Sequence, residues 1–204
     1  LIMAQLILCC MRGDDNFKEN METVETAAEF LGNGVCALDL AGAEALYETR
    51  AFSDIFKYAS NLKIPFTIHA GEAAGPLNIW QALELGAARI GHGVTCVKDE
   101  KLVDELISRK IPLEMCITSN VQTKAVQKLS EHPVYSLLKR GACVTINTDN
   151  MTVSDTNMEK ETNLLKDTFK LDKHDMQKLM HNSANATFVN EDIRKKIREK
   201  IKGD

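Results

Sequence analysis

Ile68-His69-Ala70-Gly71-Glu72 is the stretch that decides the fold, because a histidine and a carboxylate follow directly on a short apolar run. The same arrangement recurs in Arg89-Ile90-Gly91-His92-Gly93 and in the run that ends with Thr148-Asp149-Asn150. Short apolar runs of this kind predict β-strands, and parallel α/β folds build their active sites where the strands end. The sequence therefore predicts a functional site at the exit ends of several parallel strands.

Strand patterns alternate with helical patterns along most of the chain. The predicted strands are Ile2–Cys10, Gly34–Leu40, Pro65–His69, Arg89–Gly91, Ile111–Ile117 and Ala142–Thr148. The predicted helices between them are Phe17–Leu31, Arg50–Leu62, Leu77–Leu85, Lys98–Arg109 and Pro133–Arg140. From Asn157 onward the pattern is helical throughout. Six strands alternating with helices indicate a parallel sheet.

Six βα units are compatible with a doubly wound sheet or with part of an eight-stranded barrel. The glycine-rich phosphate-binding loops of the doubly wound nucleotide-binding folds follow none of the predicted strands. The chain also starts at Leu1, inside an apolar run. We therefore expect an α/β fold of the (β/α)8 TIM-barrel type, represented by about six βα units plus C-terminal helices. Residues 1–204 are expected to form a single domain, an incomplete barrel that lacks its N-terminal strands.

Composition narrows the class of protein and its partners. The net charge of −4 argues against nucleic acid or an anionic membrane as a partner, and 5% aromatic residues argue against a base-stacking surface. No apolar run reaches the roughly 18 residues of a membrane helix. Six cysteines occur without a Cys-x-x-Cys pair, which favours the reducing cytoplasm over a disulfide framework or a zinc knuckle.

The residues at the predicted strand ends suit a metal that activates water. Imidazole and carboxylate groups are metal ligands, and Glu72 is placed to carry a proton beside a metal. Each residue also has a structural interpretation: His69 as a core histidine, His92 as an exposed turn residue between two glycines, and Asp149-Asn150 as a turn or helix cap. Their occurrence after different strands of one sheet favours the functional interpretation.

Other polar residues are assigned structural roles. Ser119 and Asn120 are expected to cap a helix, and His132, which precedes Pro133, is expected to start one. His174 and His181 fall in the charged helical tail and are given no chemistry.

The chain resembles the adenosine deaminase family of metal-dependent hydrolases. The matching segments occur in the family's order and are Cys9-Cys10-Met11-Arg12, Asp39-Leu40-Ala41-Gly42, Thr67-Ile68-His69-Ala70-Gly71-Glu72, Gly91-His92-Gly93, Cys116-Ile117-Thr118-Ser119-Asn120 and Asn147-Thr148-Asp149. The resemblance implies a zinc-dependent hydrolytic deaminase that converts adenosine and 2′-deoxyadenosine to the inosines. The substrate would be a small nucleoside.

The resemblance also implies residue roles. His69 and Asp149 would be zinc ligands, from the fifth and eighth strands of the barrel, and Glu72 would protonate N1 of the purine. His92 would orient or deprotonate the attacking water. Gly42 would offer its backbone N–H to N3 of the purine.

The chain departs from the family pattern in two places. The first strand of the family carries a His-x-His pair that supplies two further zinc ligands, and this sequence has none, so these ligands are expected upstream of residue 1. Either a preceding segment of the same protein is missing, or the chain is an inactive, metal-free fragment. Asn150 replaces a frequent aspartate and would donate its amide N–H to purine N7. A related aminohydrolase acting on adenine, AMP or N6-methyl-AMP is the alternative function.

Overall fold

The computed structural model describes residues 3–203, and within them strands alternate with helices as predicted. The strands are β1 (Leu6–Arg12), β2 (Val35–Gly42), β3 (Thr67–Ala70), β4 (Arg89–His92), β5 (Leu113–Met115) and β6 (Val144–Ile146). The α-helices are α1 (Phe17–Phe30), α2 (Ser53–Asn61), α3 (Pro76–Leu85), α4 (Glu100–Ser108), α5 (Ile117–Gln122), α6 (Val134–Arg140), α7 (Met151–Ser154), α8 (Met158–Phe169), α9 (Lys173–Ala186) and α10 (Glu191–Gly203).

The strands run parallel and lie side by side in sequence order. β1 pairs with β2, and β3 to β6 form a four-stranded sheet. A parallel bridge between Leu38 and Phe66, with the Leu38 N–H donating to the Pro65 carbonyl at 3.0 Å, connects the two sheets. The order of a doubly wound sheet reverses at a switch point, and the six described strands have no such reversal. The prediction of a partial (β/α) barrel is therefore confirmed.

The predicted strand boundaries differ from the observed ones by at most two residues at each end of β2 to β6, but β5 and β6 are less than half as long as predicted. β5 ends at Met115, and Cys116 and Ile117 lead into α5 instead of extending the strand to residue 117. Both residues are buried, so their apolar character reflects core packing and not strand pairing. β6 likewise covers three residues rather than seven. β1 begins at Leu6 and continues to Arg12, while the predicted start at Ile2 lies outside the described residues.

The helix ends follow local chemistry. Pro76 occupies the first turn of α3, and Gly86 and Gly141 end α3 and α6 with φ of 91° and 97°, a conformation that glycine adopts without strain. The helical tail from Asn157 is confirmed as α8 to α10. Within residues 3–203, no helix combines the length and the apolar character needed to cross a membrane.

The two faces of the sheet differ in polarity, which places the site. The strand register aligns a row of fully buried apolar residues that pack under the helices: Ile68, Ile90, Leu113 and Val144. One residue further along each strand, the side chains point to the opposite face. That row is largely polar and consists of His69, Gly91, Glu114 and Thr145. The inner face of the partial barrel is therefore polar.

Candidate active site

His69 lies on the polar inner face, at the end of β3, beside Gly91 of β4. A Cβ atom added at Gly91 would lie 3.1 Å from the Cα of His69 and 3.2 Å from its Nδ1. The glycine that precedes His92 therefore leaves room for the His69 imidazole. The Nδ1 atom of His69 lies 3.0 Å from Oδ2 of Asp39 on β2. A carboxylate at Nδ1 orients the ring and leaves Nε2 as the nitrogen available to a ligand.

Opposing effects act on the protonation of His69. Burial lowers the pKa of its imidazole, but the Asp39 carboxylate, followed by those of Glu114 and Asp149, raises the pKa to about 9. The site is therefore an anionic environment that favours a positive charge at this ring.

Glu72 lies on a loop after β3 that is held by the carboxylate of Glu44. The Glu44 side chain is buried and accepts hydrogen bonds from four consecutive backbone N–H groups: Gly71 (2.6 Å), Glu72 (3.0 Å), Ala73 (2.8 Å) and Ala74 (3.2 Å). The loop begins at Gly71 with φ of 78°, where an added Cβ would lie 2.8 Å from Oγ1 of Thr95. Glycine and the buried carboxylate together fix the loop that bears Glu72.

His92 ends β4 and is almost completely buried, at 2% exposure. Its Nε2 lies 3.6 Å from Oε2 of Glu72, and its ring centroid lies 4.8 Å from that of His69. Burial lowers the pKa of His92, and its ring is therefore neutral at pH 7. The backbone of His92 has φ of 58°, a strained value for a residue with a side chain, and such strain clusters at functional sites.

Asp149 follows β6 with φ of 57°, so a second candidate residue has a left-handed backbone. Its Oδ1 accepts a hydrogen bond from the Asn150 N–H at 2.8 Å, and its Oδ2 accepts one from the Ser119 hydroxyl at 2.7 Å. The carboxylate is solvent-exposed but held in one orientation by these two donors.

A cavity of about 190 Å³ joins these residues, and His69, His92, Cys116 and Asp149 are among those that line it. One ligand atom each from His92, Cys116 and Asp149 lies within 4.8 Å of the others. Burial raises the pKa of the Cys116 thiol. Nitrogen, oxygen and sulfur donors of these types suit zinc, so the residues present fit a metal site.

Two predicted substrate-binding residues, Gly42 and Asn150, are not among the residues that line the cavity. Gly42 ends β2 with φ of 102°, and an added Cβ would lie 3.2 Å from the Arg12 backbone. Asn150 caps α7, since its Oδ1 accepts the Val153 N–H at 3.0 Å. The capping interpretation of Asn150 is thus confirmed, and the cap uses only the oxygen of the side-chain amide.

Sequence reasoning missed several residues of the site. Ser119 and Asn120 lie within α5 and contact candidate catalytic groups, so the expectation that they only cap a helix was wrong. His132 does contact the start of α6, but it is buried and also bonds Asn120. No local signal marks the role of Glu44, because the backbone that it holds lies 27 to 30 residues away.

The sequence profile described as adenosine deaminase matches residues 2–203. The chain belongs to the adenosine deaminase family. An adenosine deaminase of Haemophilus ducreyi is 46% identical over 200 residues, which are 97% of this chain and 58% of that protein. The N6-methyl-AMP deaminase of Arabidopsis thaliana superposes with a TM-score of 0.87 at 28% identity, covering 98% of this chain and 58% of that one.

The adenine deaminase of Arthrobacter aurescens shares the fold, with a TM-score of 0.90 at 24% identity over 98% of this chain and 61% of that one. This chain therefore spans about three fifths of the length of these relatives.

Proposed function

We propose that this protein hydrolyses adenosine and 2′-deoxyadenosine to inosine, 2′-deoxyinosine and ammonia, a step of purine salvage. The observation that carries the proposal is that His69, His92 and Asp149, from the ends of three strands, line one cavity, while Glu72 lies 3.6 Å from His92. The family to which the chain belongs and its 46% identity to an adenosine deaminase support the same reaction.

We further propose that His69 and Asp149 hold a zinc ion, together with a His-x-His pair from a segment that precedes this chain in the whole protein. The contact between Asp39 and Nδ1 of His69, which leaves Nε2 available, supports this assignment. The chemistry that zinc supplies when bound is the activation of a water molecule at neutral pH.

The residues of the chain divide the remaining chemistry between them. Asp149 accepts a hydrogen bond from the attacking water and directs its lone pair to C6 of the purine. Glu72 gives a proton to N1 as the new C–O bond forms, because the ring gains charge at N1 when C6 becomes tetrahedral. Asp149 takes one proton from the water and passes it to the 6-amino group, the hydroxyl proton of the tetrahedral C6 returns to Glu72, and breaking the C6–N bond then releases ammonia. Gly42 and Asn150 bind N3 and N7 through their N–H groups.

An aminohydrolase acting on adenine or N6-methyl-AMP is the second candidate, since structural neighbours carry those activities in their names. For the cellular location we propose the cytoplasm, and the six free cysteines support a reducing compartment.

A hybrid protein tests the proposal. The amino-terminal segment of the Haemophilus ducreyi relative, expected to bring the His-x-His pair, is fused ahead of Leu1 and the product is loaded with zinc. We expect the hybrid to deaminate adenosine, while the isolated chain and a Glu72→Gln hybrid do not. Faster turnover of adenine or N6-methyl-AMP would replace the proposed substrate. A folded, zinc-loaded hybrid that deaminates none of the three substrates would refute the proposed function. Full activity of the isolated chain would refute the assignment of two zinc ligands to a preceding segment.

A further inference from the structure

A chain of hydrogen bonds connects the backbone at the start of α6 with the ring of His92. It runs from the Val134 N–H through the side chains of His132 and Asn120 to Nδ1 of His92. All three side chains are at least 97% buried. Water therefore does not compete for these bonds, and each polar atom depends on its protein partner.

The orientation of the Asn120 amide is set by a backbone donor. Oδ1 of Asn120 accepts the Cys116 N–H at 3.3 Å, which a nitrogen in that position could not do. The amide nitrogen therefore faces His92 Nδ1, at 2.9 Å, and Glu72 Oε1, at 3.4 Å. Because an amide nitrogen only donates, Nδ1 of His92 is an acceptor and carries no proton.

The tautomer of His132 is set in the same way. The Val134 N–H donates to Nδ1 of His132 at 3.2 Å, so the proton of the neutral ring is on Nε2. That Nε2 lies 3.2 Å from Oδ1 of Asn120 and donates to it. Burial, and then the neighbouring His92, lower the pKa of His132 to about 4, which keeps the ring neutral at pH 7. Two backbone donors thus specify the same direction for the whole chain of bonds.

We propose that Asn120 and His132 are positioning residues that fix neutral His92 as its Nε2–H tautomer, so that His92 donates a hydrogen bond into the site. Its Nε2 faces Oε2 of Glu72 at 3.6 Å. In this tautomer the nitrogen that faces the site has no lone pair, and His92 orients the water without removing its proton. The role in catalysis rests on the proposed function, whereas the tautomer does not.

The arrangement also distinguishes the two oxygens of Glu72. Oε1 accepts hydrogen bonds from the Thr123 hydroxyl at 3.0 Å and from the Asn120 amide. These two donors hold Oε1, and Oε2 faces the Nε2–H donor of His92. The same network therefore directs both Glu72 and His92.

The test is a long-range proton–nitrogen NMR experiment on the ¹⁵N-histidine-labelled chain at pH 8, where the rings of His92 and His132, whose pKa values are lowered, are neutral. Among the five histidines, His92 and His132 are assigned from the signals lost in His92→Gln and His132→Gln. We expect His92 and His132 each to show a protonated Nε2 and an unprotonated Nδ1. A protonated Nδ1 at His92, or fast exchange between its two tautomers, overturns the proposal. This outcome is read from the wild-type chain and does not depend on whether the protein deaminates adenosine.

Asn120→Asp reverses the last bond, because a carboxylate accepts from both sides. His92 is then expected to carry a proton on Nδ1. Asn157→Asp is the matched control, since Asn157 is exposed and caps α8 through its oxygen, which aspartate retains. An unchanged His92 spectrum in a folded Asn120→Asp chain would contradict the proposed chain of hydrogen bonds, as would a changed His92 spectrum in the control.

Discussion

Glu44→Gln is expected to release the loop that carries Glu72. One carboxylate oxygen accepts three backbone N–H groups, and the other accepts the Gly71 N–H and the side-chain N–H of Asn78 at 3.2 Å. The amide of glutamine has a single acceptor oxygen, so its best orientation keeps three bonds and loses two. Each buried donor left without a partner costs about 1–3 kcal/mol, which predicts a loss of about 2–6 kcal/mol in the free energy of unfolding.

Urea unfolding, followed by the fluorescence of the single tryptophan Trp80, measures the loss. Hydrogen exchange then locates the change, with faster exchange expected at the amides of residues 71–74. Glu48→Gln is the matched control. The exposed Glu48 side chain accepts one bond, from Gln81 at 3.2 Å, and its loss is expected to cost less than about 1.5 kcal/mol. Equal destabilisation by the two substitutions, or unchanged protection of residues 71–74 in Glu44→Gln, would refute the reasoning.

Three further predictions concern the candidate catalytic residues Asp149 and Glu72 and the buried His132. Asp149→Ala is expected to weaken zinc binding by the hybrid protein, measured by metal analysis, and to lower its rate of deamination, because it removes both a ligand and the group that orients the attacking water. Glu72→Gln is expected to retain zinc while kcat falls by about 10²–10⁴, the usual contribution of general acid catalysis; loss of zinc with an unchanged rate per bound ion would contradict the role of Glu72. His132 has its pKa lowered from 6.5 to about 4 by burial, so only the unfolded chain takes up this proton between those values, and stability falls as the pH drops below 6.5. At about 1.4 kcal/mol per pH unit, the loss in the free energy of unfolding reaches about 2 kcal/mol at pH 5. Urea unfolding at decreasing pH measures this loss in the wild type, and His132→Gln, which lacks the imidazole, is expected not to show it.

The sequence predicted the residues that follow strands because their signal is local. His69, Glu72, His92 and Asp149 each follow an apolar run, and the exit ends of parallel strands meet on one side of the sheet. The structure places all four around or beside one cavity. Here a pattern a few residues long was sufficient, since the geometry of the parallel sheet supplies the remaining information.

The supporting residues could not be predicted in this way because they act over long distances in the chain. Asp39 contacts His69 thirty positions later, and Asn120 contacts His92 across 28 positions. Nothing in the few residues around Asp39 or Asn120 distinguishes a buried partner from a helix cap or a surface group. The end of β5 was mispredicted for a related reason: Ile117 is as buried in a helix as it would be in a strand, and an apolar run does not distinguish the two.

The early end of β5 is also what assembles the site. Because the chain leaves the sheet after Met115, the six-residue helix α5 lies directly beyond the strand ends, at the level of the candidate catalytic groups. From this one helix, Ser119 donates to Asp149, which follows β6, and Asn120 donates to His92, which ends β4. His92 and Asp149 both have left-handed backbones, which cost about 1–3 kcal/mol each and need surrounding contacts to persist. A strand extended to residue 117 would carry residues 119 and 120 further along the strand direction and away from both groups. The short strand and the helix that replaces its end therefore connect His92 of β4 with Asp149 after β6, although β4 and β6 are not neighbours in the sheet.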